Sequence, residues 1–408
     1  MDTAPFAHWL RIGLGRPILH LRRNDSRPYR ETILDACLHD TVYDRQCEGS
    51  RAPYLFDVIA ATGEPAYYRD HLLAASAPEA LDGDDGEQVV ALLGEFAKRG
   101  DVASRAQLRA IFATNATSER PDGASELVAA EGIAGLLTVA AQLPLDPDDP
   151  WFATMLVNDA AEIAGEAAIW TALRERAASD PKIATFLAAV EQETERRAEY
   201  RAQKKSPEAS IAYAGIRSAI LAGTASARLW RRGATDSDLL AAATDILREE
   251  DAERLKRLLQ IFAERPFPLE HTRLLILARD PDERLAHLSR TALKNIAHPD
   301  VRTLGLALLA DGNGAGARLL ANNYQDDDFA LIERLLRTWG DRDAIHALGF
   351  GLRDIVEDQP LPDATDALIA LYEVDPCAIC RRRAVKLLHQ LGTIPDWLEA
   401  EYEYDSYR

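Results

Sequence analysis

Cysteine is scarce in this chain, with four in 408 residues. So few cannot staple a fold, and they fit a reducing cytoplasm better than an oxidising compartment. Long apolar runs are missing as well. No stretch approaches the ~20 residues that span a bilayer, and the segment from Met1 to Leu10 carries Asp2 and no continuous apolar core, so it does not read as a secretory signal. Basic charge is in deficit: 47 Lys and Arg face 66 Asp and Glu, a net charge of −19. A phosphate backbone would find no general basic footprint, so neither nucleic acid nor a membrane is an expected partner. There is no G-x-S-x-G, no H-E-x-x-H and no G-x-x-x-x-G-K-[ST]. An enzyme can build its site from distant residues, so activity stays open, with no catalytic residue assigned.

Aliphatic residues recur at helical spacing. Val89, Leu92, Leu93 and Phe96 fall at i, i+3, i+4 and i+7, and Ile183, Phe186, Leu187 and Val190 repeat the pattern behind Asp180-Pro181. Ala384, Leu387, Leu388 and Leu391 do so again before Gly392, a helix stop. Two-residue alternation and hairpin turns are nearly absent. The spacing predicts an all-α protein.

The predicted helices are short and paired. Helix starts recur at Asp300, Asp341 and Asp375, in steps of 41 and 34 residues. Such a period is that of two-helix units, which bury their apolar faces only by stacking. Pro299-Asp300-Val301-Arg302, and Asp375-Pro376 with Arg381 to Leu388, resemble the opening of the second helix in HEAT repeats. Asp280-Pro281-Asp282-Glu283-Arg284-Leu285 and Gly100-Asp101-Val102-Ala103-Ser104-Arg105 are weaker matches. The resemblance is clearest over 270–395. It implies a right-handed α-solenoid of stacked antiparallel helix pairs, with second helices lining a concave face. Pro144 to Pro150, with three prolines, is the main expected break. It separates helical-repeat regions 1–143 and 151–408, which together are expected to form one continuous superhelix. Ala80 to Glu87 reads as an acidic loop, and Glu191 to Lys205 as a solvated helix end closed by Ser206-Pro207.

Cys377-Ala378-Ile379-Cys380 has the spacing of half a zinc site, but no second pair exists, since Cys37 and Cys47 are ten residues apart. Buried helix cysteines are the expected reading, with no metal and no cofactor. Gly312-Asn313-Gly314-Ala315-Gly316-Ala317 fits G-x-G-x-x-A but lacks the flanking strand of a dinucleotide site, so it reads as an inter-helix turn. The richest segment is Tyr43 to Tyr54, which mixes both charges with aromatics. Arg45, Glu48, Arg51 and Tyr54 are the expected partner-binding residues, because Arg and Tyr dominate interface energetics. The segment from Trp397 to Arg408, with three tyrosines among acids, is the alternative contact.

The expected function is a non-enzymatic scaffold or adaptor that holds a protein partner on its concave face. Glu79–Asp101 has seven acids against two bases, and Asp146–Glu191 nine against three, which favours a basic or mixed-charge partner. The resemblance also admits two alternatives. One is a HEAT-like DNA glycosylase, to which Trp230-Arg231-Arg232, Trp339 and Arg381-Arg382-Arg383 could contribute; the other is a chromophore lyase-type solenoid.

Overall fold

In the computed structural model, which describes residues 3–77, 81, 83–115, 118, 120–146, 149–204 and 211–408, the apolar stripes become helices, and no strand occurs among the described residues. The protein is all-α. It divides into two compact units, Met1–Pro207 with Ala400–Arg408, and Glu208–Glu399.

The first unit contains α1 (Thr3–Ile12), α2 (Arg16–Leu21), α3 (Arg30–Leu38), the single turn α4 (Arg45–Glu48), α5 (Ala52–Ala61), α6 (Pro65–Ala75) and α7 (Gly83–Lys98). It continues through α8 (Val102–Asn115), α9 (Ala124–Glu131), α10 (Ile133–Ala140), α11 (Trp151–Ala164), α12 (Glu166–Ala177) and α13 (Pro181–Lys204). Val89, Leu92, Leu93 and Phe96 of α7 are all buried in one apolar core that also takes Leu108, Ile111 and Phe112 of α8. The acidic stretch expected as a loop is helical from Gly83 onward; residues 80 and 82 lie outside the described residues. Asp84 and Asp85 fall in the first turn of α7, where carboxylates offset the positive end of the helix dipole. Pro144 to Pro150 connects α10 to α11. The charged end of α13 is less solvated than expected, because the Glu193 side chain is buried and paired with Arg196 and Arg197. Ser206 and Pro207, the expected stop, lie outside the described residues.

The second unit holds α14 (Tyr213–Ala222), α15 (Ala227–Trp230), α16 (Asp236–Arg248), α17 (Ala252–Leu259), α18 (Thr272–Leu277), α19 (Glu283–Leu293) and α20 (Pro299–Ala310). A 3-10 segment, Gly314–Asn323, follows, then α21 (Asp328–Thr338), α22 (Arg342–Asp358), α23 (Thr365–Val374) and α24 (Ala378–Leu391); α25 (Asp396–Tyr402) closes the helical order. Successive elements pack in pairs: α18 with α19, α20 with 314–323, α21 with α22, and α23 with α24. Within these pairs the second members also touch in series, α17 on α19, α19 on 314–323, 314–323 on α22, and α22 on α24.

Local chemistry sets the boundaries. Asp341 caps α22, its carboxylate accepting from the Ala344 N–H at 2.7 Å. Gly392 ends α24 at φ +68°, a conformation that a side chain disfavours. Pro299-Val301-Arg302, which resembles the start of a second helix, instead opens α20, the first member of its pair. Arg302 there makes two hydrogen bonds, 2.6 and 2.8 Å, to the buried Asp328 carboxylate. Gly312-Asn313-Gly314-Ala315-Gly316-Ala317 is a turn only at its start. From Gly314 it is 3-10 helix, and its small residues let three backbones approach: a Cβ on Gly316 would lie 2.4 Å from the Gly305 carbonyl oxygen of α20, and one on Gly314 2.1 Å from that of Ala344 in α22.

Candidate functional site

The residues expected to bind a partner are engaged within the first unit. Arg45 spans from α4 to α7, reaching Asp40 at 2.6 Å and Glu87 at 2.7 Å. The Arg51 and Glu48 side chains are both buried and paired at 3.2 Å, and the Arg51 guanidinium also donates to the Arg11 carbonyl oxygen. Tyr54 is buried, with its hydroxyl donating to the Leu14 carbonyl oxygen at 2.7 Å. The C-terminal segment converges on the same turn. Glu401 is buried against Arg16 at 2.8 Å, and the Ser406 N–H donates to the Gly13 carbonyl oxygen at 2.9 Å. The Arg22 guanidinium stands 4.3 Å above the Tyr404 ring. A Cβ on Gly15 would sit 1.9 Å from the Glu401 carbonyl oxygen, so the bare backbone is what lets the segment dock. Two stretches singled out as separate surfaces thus clamp one turn, 11–16, from two sides. Their polar groups are largely consumed there.

Three of the seven residues named for a DNA-repair site are buried, Arg232 is exposed, and Trp339, Arg382 and Arg383 are half-buried. Trp230 is buried and donates to the Ile211 carbonyl oxygen at 2.7 Å. Arg231 is buried on the Gln260 carbonyl oxygen, and Arg381 is wholly buried on that of Asp375, at 3.0 Å.

A concavity lies in the second unit, where α19, 314–323 and α22 meet. It is a cavity of about 340 Å³ lined by His287, Arg290 and Thr291 of α19, Ala315 and Arg318, and His346, Ala347 and Phe350 of α22. That volume falls within the range of ordinary small-molecule or side-chain sites. Phe350 is its aromatic wall: Arg353 stands 4.4 Å from the ring centroid, Arg318 6.0 Å, and His346 meets it edge-on at 4.8 Å. Burial lowers the His287 pKa, and the nearby charges of Arg318, Arg284 and Arg290 lower it further. The field there is positive despite the chain's net charge of −19.

Beside it lies a second cavity of about 270 Å³, lined by Glu264, Asn295, Asn322, Glu357 and Asp358 together with Lys294 and Asp354. Asp354 joins the two, accepting from Arg318 Nε at 3.1 Å and Lys294 Nζ at 3.3 Å. Most of these charges are already matched: Arg290 pairs with Glu283, Arg318 with Asp354, Glu264 with Arg231 and Glu357 with Arg383. Sequence reading missed the two cavities, because their residues are spread over more than 70 positions and no local motif marks them.

Behind the first cavity, His346 reaches the 377–380 cysteine pair. Its Nδ1 is 3.6 Å from Cys380 Sγ and 3.4 Å from Asp375 Oδ1. Asp375 and both cysteines are buried, as the sequence reading of the pair expected for the latter. The neighbouring Cys377, then burial, push the Cys380 thiol up. For His346, burial lowers the pKa, but the hydrogen bond and charge of Asp375 outweigh it and the net shift is upward. No protein-family model matches the chain, and no curated protein is significantly similar to it.

Proposed function

We propose that this protein is a non-enzymatic, HEAT-like interaction scaffold whose second unit holds a mixed-charge protein partner along the faces of α19, 314–323 and α22. One observation carries the reading: two cavities lie side by side on the same successive elements, one lined by Arg290, Arg318 and Phe350 and the other by Glu264, Glu357 and Asp358. An acidic or aromatic side chain of the partner suits the Arg290, Arg318 and Phe350 cavity. A lysine or arginine suits the Glu264, Glu357 and Asp358 cavity. Complementary charge of this kind fixes register and partner choice more than it adds affinity. The serial contacts of α17, α19, 314–323, α22 and α24 are in keeping with stacked helix pairs. The setting is a reducing cytoplasm, in keeping with four cysteines that form no disulfide.

The test uses a photo-reactive phenylalanine analogue placed at Thr291, on the cavity, or at Thr303, exposed on α20. The expected result in cells is a discrete cross-linked protein adduct from the first position and not the second, lost with Arg318→Glu and with Glu357→Lys. Equal labelling from both positions, or adducts indifferent to both charge reversals, overturns the reading.

A further inference from the structure

The Cys377–Cys380 pair is one half of a familiar ligand set, and the fold brings it the other half. His346 arrives from α22, and Asp375 from the turn that precedes α24. The donor atoms of His346, Cys377 and Cys380 all lie within 4.8 Å of one another. A tetrahedral zinc ion with bonds of about 2.3 Å to sulfur and about 2.0–2.1 Å to nitrogen or oxygen has ligand-to-ligand edges of about 3.6 Å for S···N and about 3.3 Å for N···O. The observed edge from Cys380 Sγ to His346 Nδ1 is 3.6 Å, and Asp375 Oδ1 stands 3.4 Å from the same nitrogen, outside the three-donor group.

The surroundings fit an ion better than they fit plain packing. Asp375 has no exposed surface, and its Oδ2 is buried with no hydrogen-bond partner, a costly arrangement for a carboxylate. Gly349, on α22 beyond His346, makes room for that carboxylate, since a Cβ there would lie 2.6 Å from Oδ2. Asp375 Oδ1 is held in place by the Cys377 N–H at 2.8 Å. The Arg353 guanidinium stands 3.6 Å from Cys380 Sγ. Two thiolates and a neutral imidazole around Zn²⁺ carry no net charge, and that guanidinium offsets the Asp375 carboxylate beside them.

We propose that His346, Cys377 and Cys380 hold a zinc ion that ties α22 to the start of α24, with the Asp375 carboxylate beside His346 as the neighbouring acid. Binding replaces two thiol protons, which pass to solvent, with one Zn²⁺. No bond is oxidised or reduced. The ion links two elements of the fold. It fixes the ring of His346, which lines the first cavity, and so stiffens that cavity's wall. The proposal stands apart from the partner-binding reading, since metal uptake is measured with no partner present.

The experiment titrates Co²⁺ into the reduced, chelator-stripped full chain carrying Cys47→Ser, which removes the one exposed cysteine. The expected outcome is a thiolate-to-cobalt charge-transfer band with tetrahedral visible bands, saturating at one ion per chain and bleached by one equivalent of Zn²⁺. Zinc should also raise the thermal midpoint, and Cys380→Ala should abolish the full spectrum. Arg353→Gln, which leaves all three ligands in place, should weaken zinc about 10–100-fold. It keeps the test decisive if Cys380→Ala does not fold. His271, His298 and Asp300 form a second, sulfur-free group of possible donors, and His298→Ala should change nothing in the thiolate band. Three results overturn the proposal: no thiolate band with cobalt in excess, a band that survives Cys377→Ala/Cys380→Ala, or a pair that oxidises readily to a disulfide while its reduced form takes up no metal.

Discussion

Gly351 of α22 faces Ala317 so closely that a Cβ on the glycine would lie 2.3 Å from the Ala317 Cβ and 2.6 Å from its carbonyl carbon. Backbone cannot yield as a flexible side chain can, so Gly351→Ala must push 314–323 away from α22. The expected loss is about 1–3 kcal/mol, the usual cost of overpacking. Gly340→Ala, where nothing lies within 4 Å of the added carbon, should stay within about 0.5 kcal/mol. Urea unfolding of the two variants checks the contrast.

Arg51 stabilises the first unit rather than an exposed surface, and its removal should show this. Arg51→Ala strands the Glu48 carboxylate, whose side chain is only 3% exposed. Breaking a buried pair from one side costs about 3–5 kcal/mol. The double variant Arg51→Met/Glu48→Leu should recover most of that loss. Should Arg51→Ala leave the unfolding midpoint unchanged, the pair contributes nothing and the residue is available for other work.

Asp245 predicts a pH dependence in the second unit. Burial would raise its pKa, but Arg217 and the Tyr213 hydroxyl, which donates at 2.7 Å, outweigh this and hold the carboxyl below 3.8. A folded pKa below the unfolded one adds stability that is complete well above the unfolded value and is lost as pH falls through the folded value. Asp245→Asn should therefore be destabilised at pH 7, and the gap from the parent should narrow toward pH 3. A gap that is constant across that range would show that the charge of Asp245 is not what matters.

Thiol accessibility gives a count that is simple to take. Cys37, Cys377 and Cys380 are buried and Cys47 is exposed; burial also pushes the Cys37 thiol up to about 12. A bulky aromatic disulfide reagent should titrate one thiol per native chain and four in denaturant, and Cys47→Ser should abolish the native reaction. Fast reaction of more than one native thiol would mean that a buried helix opens readily.

Legibility in the sequence followed the range of each interaction. Stripes such as Val89, Leu92, Leu93 and Phe96 are local and periodic, so the all-α class could be read directly. The acids at 84 and 85 misled, because a charge cluster looks the same in a loop and in the first turn of a helix, and only the dipole separates the two. The burial of Arg51 and Tyr54 was hidden for a related reason. The chemistry that suits them to interfaces also suits them to internal carbonyl oxygens, here those of Arg11 and Leu14. His346 could not be joined to Cys380 at all, since a sequence separation of 34 hides the contact. A signal that did exist was the run of small residues Gly312, Gly314, Gly316 with Gly349 and Gly351, whose spacing marks helices that nearly touch.

The first unit closes only when Ala400–Arg408 reaches it, and that has a consequence in time. Those residues leave the ribosome after the whole of 208–399, which at about 5–20 residues per second takes on the order of 10–40 s. For that interval the turn at 11–16 lacks Glu401 and Ser406, and Arg16 has no carboxylate from the C-terminal segment. A turn made early is thus completed late. A nascent chain stalled before residue 400 should expose α1 and α2 to proteolysis, and emergence of residues 400–408 should end that window.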